Sequence, residues 1–242
     1  HYRGETLDGF GIGAVHTAPE YRGEGYATEL SGRVQREASE RGAQIGLLFS
    51  DIEPGFYEEL GYSIASDRRF DSDALRQLAE GGQRAGLHPI DPEERLEELM
   101  IWYGEAHDDA RLYLDRDRAY WTSLLDETSE HRFFGVSRPG GREEGYLRVR
   151  PDDGEVEVLE LVWPEAGPEV EAAAYRALAD LALARRWSRI RQHFAPPRPV
   201  LSSFDDNRRD REITMLVPTG DEVAFDENWL RTNAVIWPAD RF

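Results

Sequence analysis

The tightest constraint lies in residues 6–66, where a strand, a glycine-rich loop, an amphipathic helix and a second apolar strand follow in that order. Gly9, Gly11 and Gly13 alternate with Phe10, Ile12 and Ala14, and Val15, His16 and Thr17 follow. A run of small and apolar residues reads as a strand that lets another chain or a ligand come close. Pro19 stops it, and Tyr21-Arg22-Gly23-Glu24-Gly25-Tyr26-Ala27 comes next. The spacing of Ala27, Leu30, Val34 and Ala38 predicts a helix from about Gly25 to Arg41 with one apolar face, ended by Gly42. Gln44 to Phe49 is a short apolar run of the kind buried in parallel sheets. Phe56, Tyr57 and Leu60 share one face of a single helical turn capped by Gly61, and Tyr62 to Ser66 reads as one more strand. Parallel strands need a crossover, so this order defines an α/β protein.

The chain has 242 residues, enough for one to two domains. Residues 67–86 are polar and end glycine-rich, which marks them as a linker without a sustained strand. A second α/β region follows. A helix is expected from Pro92 to Glu105 with Asp91 as its N-cap. Another is expected near Asp117 to Glu127. Arg132 to Val136 and Gly145 to Val149 read as strands across a Pro-Gly-Gly turn. Glu155 to Trp163 is apolar on both faces and reads as a buried strand. Glu169 to Arg186 is an alanine-rich helix, and Ser188 to Phe194 and Ile213 to Val217 are further strands. The expected division is therefore 1–80 and 81–242. The element order of the second region resembles the front of the domain type whose back half occupies residues 6–66.

Composition removes whole classes of chemistry. Cysteine is absent and all 29 basic residues are arginine. Disulfides, thiolate catalysis and cysteine metal sites are excluded. So are a phosphate-binding P-loop with its lysine and a pyridoxal Schiff base. His88, His107, His131 and His193 are scattered without metal-ligand spacing, so no metal is expected. Hydrophobic residues make up 40% and charged residues 32%, a soluble globular composition. No apolar run approaches the ~20 residues of a membrane span. Neither a signal peptide nor a lipidation motif is visible, which points to the cytoplasm. The chain begins with His1 rather than Met, as a fragment or a processed product does. A net charge of −19 disfavours nucleic acid and favours cationic partners or a salt-rich setting. Arginine in place of lysine also fits a GC-rich genome or a halophile.

Arg22-Gly23-Glu24-Gly25-Tyr26-Ala27 lies between a strand and a helix. A helix start carries about four unpaired N–H groups and the positive end of a dipole. Glycines let a backbone approach a pyrophosphate, and Arg22 adds a forked cation. The dinucleotide fingerprint G-x-G-x-x-G would need a third glycine where Thr28 stands. Taken singly, the loop also reads as an ordinary turn, and Phe56 to Tyr62 as a buried aromatic turn. Together and in order, the two segments closely resemble the GNAT superfamily of N-acetyltransferases. Its R/Q-x-x-G-x-G/A motif is matched by Arg22, Gly25 and Ala27. Its aromatic-Tyr-x-x-x-Gly-aromatic motif is matched by Phe56, Tyr57, Gly61 and Tyr62. These motifs cover residues 10–66.

The resemblance implies a GNAT-type mixed sheet flanked by helices. It also implies that the first domain here lacks its N-terminal elements. Acetyl-CoA is the implied co-substrate. Its pantetheine arm would pair with the backbone of Val15, His16 and Thr17, and its pyrophosphate would sit on the N–H groups of Gly23, Glu24, Gly25, Tyr26, Ala27 and Thr28. Ser50 would face the same cleft. The second region has Pro164-Glu165-Ala166-Gly167 after its central strand and no glycine cradle. The whole is similar to tandem acetyltransferases of the enhanced-intracellular-survival type, with an active first half and a degenerate second. The stretch after Phe194 is too short for the sterol-carrier-like domain that closes some of them.

Acetyl transfer needs a proton removed from the amine and one given to the leaving thiolate, and general acid–base help is worth roughly 10²–10⁴-fold. The resemblance makes Tyr57 the general acid. The terminal carboxylate of Phe242 is the candidate base, with His16 acting through a water as the alternative. Backbone N–H groups of the strand near the loop would hold the oxyanion. The acceptor is expected to be a cationic primary amine, of a small molecule or a peptide. Residues 86–242 would shape its pocket and a homo-oligomer interface. The alternative is a catalytically silent acyl-CoA-binding or interaction module. Asp108-Asp109, Asp152-Asp153 and Asp205-Asp206 read as solvated turns, and Tyr103, Tyr113, Tyr120 and Trp121 as core.

Overall fold

The computed structural model describes residues 2, 5–107, 112–126, 130–220, 225, 229–230, 234–237 and 240. The first elements are β1 (Gly9–Ile12), α1 (Tyr26–Glu40), β2 (Ile45–Ser50), α2 (Gly55–Glu58) and β3 (Ser63–Ser66). Next come β4 (Arg68–Ser72), α3 (Leu75–Ala79), β5 (Gly86–Ile90), α4 (Leu96–Ala106), β6 (Leu112–Tyr113) and α5 (Arg118–Asp126). The chain continues through β7 (Arg132–Ser137), β8 (Glu143–Asp152), β9 (Glu155–Val162), α6 (Pro168–Arg185) and β10 (Ile190–Gln192). It ends with α7 (Arg198–Leu201), β11 (Asp205–Arg208), β12 (Ile213–Pro218) and β13 (Ala234–Val235).

Two main sheets result. The first has the order β1-β2-β12-β3 and the second β11-β4-β10-β9-β8-β7-β5. β1 and β2 run parallel, as the crossover through α1 requires. β12 is antiparallel to both β2 and β3. The chain thus enters the second sheet at β4 and returns to the first at β12. β6 and β13 form a small parallel pair.

The second sheet is covered on both faces, which accounts for the two-sided apolar pattern of β9. Val156 and Val158 join one core with Tyr175, Leu178 and Ala179 of α6. Leu159 and Val162 join the other with Leu99, Trp102 and Trp121 of α4 and α5. Helix α6 begins with Pro168 after the N-cap Gly167, carries Glu169 and Glu171 in its first turn, and ends at Arg186 in a left-handed conformation. Its buried face holds five alanines (Ala172, Ala173, Ala174, Ala179 and Ala182), so the helix lies close on the sheet.

Several expectations are corrected. Residues 67–86 are not a bare linker. β4 lies between β11 and β10, and Leu75, Leu78 and Ala79 of α3 are buried. The strand was hidden because its charges are matched both within it and across to its neighbours. Asp71 accepts bonds from Arg69 (2.7 Å), Arg191 (3.2 Å) and Asn207 (3.1 Å). Helix α4 starts at Leu96 rather than Pro92. Asp91 caps a turn ahead of it, accepting from the Glu93 N–H at 2.9 Å. Asp205 and Asp206 lie in the edge strand β11 rather than a turn, and Asp206 pairs with Arg68. The pair at 108–109 lies outside the described residues.

Gly145 of β8 is required by close approach. A Cβ there would stand 2.3 Å from the Val162 carbonyl oxygen and 2.9 Å from the Trp163 Cα. Both are backbone atoms of the neighbouring segment, so no flexible side chain can turn aside. Gly145→Ala is expected to cost about 3 kcal/mol by urea unfolding. Gly104→Ala, inside α4 with open space around the new methyl, is expected to gain about 0.5–1 kcal/mol. Equal effects of the two changes would contradict the packing described.

Candidate functional site

The site grows out of the end of β1. Pairing with β2 stops at Ile12 opposite Leu48, while β2 runs on to Ser50. Ala14 takes a left-handed φ of 53°, so the chain leaves the sheet there. Val15, His16 and Thr17 then run along one side of a cleft of about 500 Å³. A short turn at Pro19–Tyr21 brings the chain round to Arg22, whose Nε donates to the Thr17 carbonyl at 3.1 Å.

Gly23 and Gly25 have φ of 86° and 82°, a region where L-residues are strained. Neither would meet another atom if a Cβ were added, so backbone conformation, not space, is what calls for glycine. Gly25 is the N-cap of α1, and no side chain caps this helix. The Glu29 N–H returns to the Gly25 carbonyl at 3.0 Å. Among the described residues no side chain caps the first N–H groups of this helix of 15 residues, which lie at the positive end of its dipole. Arg22, Gly23, Gly25, Tyr26, Ala27 and Thr28 all line the cleft.

Opposite them stand Ile52, Phe56 and Tyr57. The short helix α2 holds Tyr57, and Gly61 with φ 89° turns the chain so that the Tyr62 N–H reaches the Tyr57 carbonyl at 3.0 Å. That return explains why the motif needs a glycine four residues after its tyrosine. The Tyr57 ring packs edge-on against Phe56 (4.9 Å) and Tyr62 (5.7 Å). Burial, and then the nearby Asp51 carboxylate, push the Tyr57 phenol above its ordinary value of 10.0. It is therefore protonated at neutral pH and equipped to give a proton.

Two expected residues stand elsewhere. Ser50 is buried and does not line the cleft. Its hydroxyl donates to the Ile52 carbonyl at 2.8 Å and accepts the Ile52 N–H at 3.3 Å, shaping the turn that presents Ile52. Glu24 is exposed in the loop and is not part of the cleft lining. Phe242 lies outside the described residues. Two cleft residues were not singled out in the sequence, Tyr21 and Ile52. Both are exposed large apolar side chains, and Tyr21 meets Tyr26 edge-on at 6.2 Å. The available signal was an aromatic residue directly before the Arg-Gly loop.

Fold and cleft together define an α/β protein with an uncapped helix start facing a protonated tyrosine. Residues 1–65, which contain the whole cleft, match the family model described as an acetyltransferase (GNAT) domain. No curated protein matches the sequence. Among solved structures it is similar to a GCN5-related N-acetyltransferase from Kribbella flavida, with a TM-score of 0.65 and 23% identity over 89% of this chain and 53% of that one. It is also similar to Eis1 from Mycobacterium abscessus, with a TM-score of 0.62 and 21% identity over 91% of this chain and 59% of that one. A tandem GNAT protein from the clavulanic acid biosynthesis pathway matches with a TM-score of 0.50 and 15% identity, over 86% and 72% of the two chains. The chain spans little more than half the length of the first two. These are likenesses of fold, and they reach well beyond residue 65 into the second sheet.

The raised Tyr57 phenol gives a direct test. In a ¹³C-tyrosine NMR titration, the resonance missing from Tyr57→Phe is expected to titrate above free tyrosine. Asp51→Asn should lower its midpoint only in part, because burial is the larger cause. The protonated form is the one the fold favours. Its share of stability is complete below the free-tyrosine value and is lost as pH rises through the folded value. A Tyr57 midpoint at or below that of free tyrosine would contradict this environment.

Proposed function

We propose that this chain carries the acetyl-CoA site of an N-acetyltransferase and moves an acetyl group to a primary amine by direct attack in a ternary complex. The observation that carries the reading is the shared cleft. One wall is an uncapped helix start with two left-handed glycines, and the other holds a tyrosine kept protonated. Oriented N–H groups and a helix dipole suit a pyrophosphate, and Arg22 adds positive charge beside them. The backbone of Val15, His16 and Thr17, which lies beyond the pairing of β1 with β2, suits an extended pantetheine amide chain.

The chemistry follows. The neutral amine attacks the thioester carbonyl carbon and a C–N bond forms. The developing oxyanion is held by backbone N–H groups. The C–S bond then breaks, and Tyr57 gives its hydroxyl proton to the departing sulfur. The amine's proton goes to a base. His16, which lines the cleft, takes it through a water. The net charge of −19 favours a cationic acceptor.

Thiol release from acetyl-CoA across a panel of amines tests this. With no cysteine in the chain, a thiol reagent reports free CoA alone. Amine-dependent release is expected to fall about 10²-fold or more in Tyr57→Phe, with acetyl-CoA affinity little changed. Gly25→Ala should instead raise the KM for acetyl-CoA. Tight acetyl-CoA binding with no release on any amine would replace this reading by that of an acyl-CoA-binding module.

A further inference from the structure

A second cavity, of about 390 Å³, adjoins the acetyl-CoA cleft at the end of β2. Ile52 lines the cleft and Asp51 lines the cavity, so two consecutive residues bound the two hollows. The volume is in the range of small-molecule sites. Every lining residue among those described is ionisable: five arginines, four carboxylates and one histidine.

Much of this charge is spent within the second sheet. Directly opposed residues of neighbouring strands share a face, and the register sets Asp71, Arg191, Glu157 and Arg150 in one row across β4, β10, β9 and β8. The signs alternate along the row. Arg191 pairs with Asp71 at 3.2 Å and Glu155 at 2.8 Å, and Arg150 pairs with Glu157. Arg69, on the same face two residues before Asp71, also pairs with it at 2.7 Å. The row forms a partly exposed floor of matched ion pairs.

Asp51 is placed differently. It is exposed, and among the described residues its carboxylate belongs to no ion pair, although five arginines line the same cavity. Its one bond is to backbone, accepting the Glu212 N–H at 3.2 Å, which fixes the carboxylate between the ends of β2 and β12. Its negative charge is felt at the Tyr57 phenol. An amine that attacks a thioester beside Tyr57 must stand near this junction.

We infer that Asp51 holds the acceptor's amine and that the cavity beyond it selects a small hydrophilic amine over an arylalkyl one. The inference rests on the acetyl-transfer reading and supplies the place and class of its acceptor. Asp51 accepts an N–H from the arriving ammonium and from the neutral amine alike, so it orients the nitrogen without taking its proton. A charged donor on a carboxylate makes a stronger bond than a neutral pair does. Further hydroxyl or amino groups on the acceptor exchange water for the ion-paired heads of the floor. An aromatic ring there would strip water from those charges and return no hydrogen bond.

The test uses the full chain, acetyl-CoA, and two probe amines, 1,3-diamino-2-propanol and 2-phenylethylamine, with thiol release as the readout. The diamine is expected to show a KM at least tenfold lower than the arylalkylamine. Asp51→Asn should raise the KM for the diamine about tenfold and leave the KM for acetyl-CoA unchanged, and Asp51→Glu should recover most of the loss. Arg211 is exposed and lines the cavity, so Arg211→Trp should fill it and raise the KM for the diamine without touching Asp51. That variant keeps the test decisive if Asp51→Asn disturbs the Glu212 turn. Release on no amine would sink the acetyl-transfer reading, and this inference with it. Release with a diamine KM indifferent to both positions would overturn this inference alone. So would a preference for 2-phenylethylamine, or an equal rise in the KM for acetyl-CoA.

Discussion

Strand β12 is the contact on which the site depends. β3 is held in its sheet only through β12, and β12 in turn zips along β2 from Ile213 opposite Ser50 to Pro218 opposite Ile45. Ile213, Met215 and Val217 make up much of the small core on which Tyr57, Tyr62 and Ile64 rest. Tyr57 is therefore seated on a strand more than 150 residues further along the chain. Most of the apolar burial under Tyr57 comes from this long-range pairing rather than from α1, whose only buried residue is Ser31. The cleft and the second sheet are consequently one structural problem. The chain runs through the whole of the second sheet before it supplies the strand that joins β2 to β3 in the first.

A second long-range tie is electrostatic. Arg116 and Arg148 are fully buried with Glu160 and Asp240. Arg116 Nε donates to Asp240 at 2.8 Å, and Tyr146 donates to Glu160 at 2.9 Å. Burial alone would push Glu160 up, but Arg116 and Arg148 outweigh it and hold the carboxyl below its usual range. Asp240 is pushed up by the same burial despite Arg116. His131 accepts from Arg148 at 2.8–3.0 Å and is pushed down to about 4, by burial first and then by Arg148 and Arg150. It is neutral at physiological pH and leaves the charge balance at two against two. Such a cluster gains little net stability, yet removing one member strands a buried charge at a cost of about 3–5 kcal/mol. Its consequence here is positional. Asp240 also accepts the Trp237 N–H at 3.0 Å, which tethers Trp237 as a wall of the cavity it shares with Phe194 and Tyr175.

Much of the cleft was legible in the sequence because its geometry is local. The left-handed glycines with their helix start form one short stretch and the capped aromatic turn another, each about seven residues long, and ten of the residues expected there do line it. Ser50 was misjudged because position on a strand end does not reveal which face a side chain takes. The strands and helices with apolar periodicity were also legible. β4 was not, because its signal is charge matching with β10 and β11 rather than apolar alternation. The place of β12 between β2 and β3 was invisible for a related reason, since strand order follows from tertiary packing that no local pattern encodes. The cavity beside Asp51 belongs to the same class. Its walls come from six separate stretches of chain.

The second sheet shows by contrast why only one helix start suits a phosphate. Helix α6 also follows a central strand, and its N-cap is also a glycine. Gly167, however, has an ordinary negative φ of −81°, so it builds no loop of inward N–H groups. The surface beside it is a shelf that includes Pro164 and Glu165, three arginines and four more glutamates. Arg95 is committed to Glu98 and Glu143, and Arg138 to Glu144. A pyrophosphate would meet spent cations and an excess of carboxylates there. At α1 the balance is reversed. The cap is free and two glycines open the backbone. Arg22 is anchored through its Nε to a carbonyl, and among the described residues it pairs with no carboxylate. The same element order therefore yields two differently built helix starts, one opened by left-handed glycines and one not, and the difference lies in about six residues of loop.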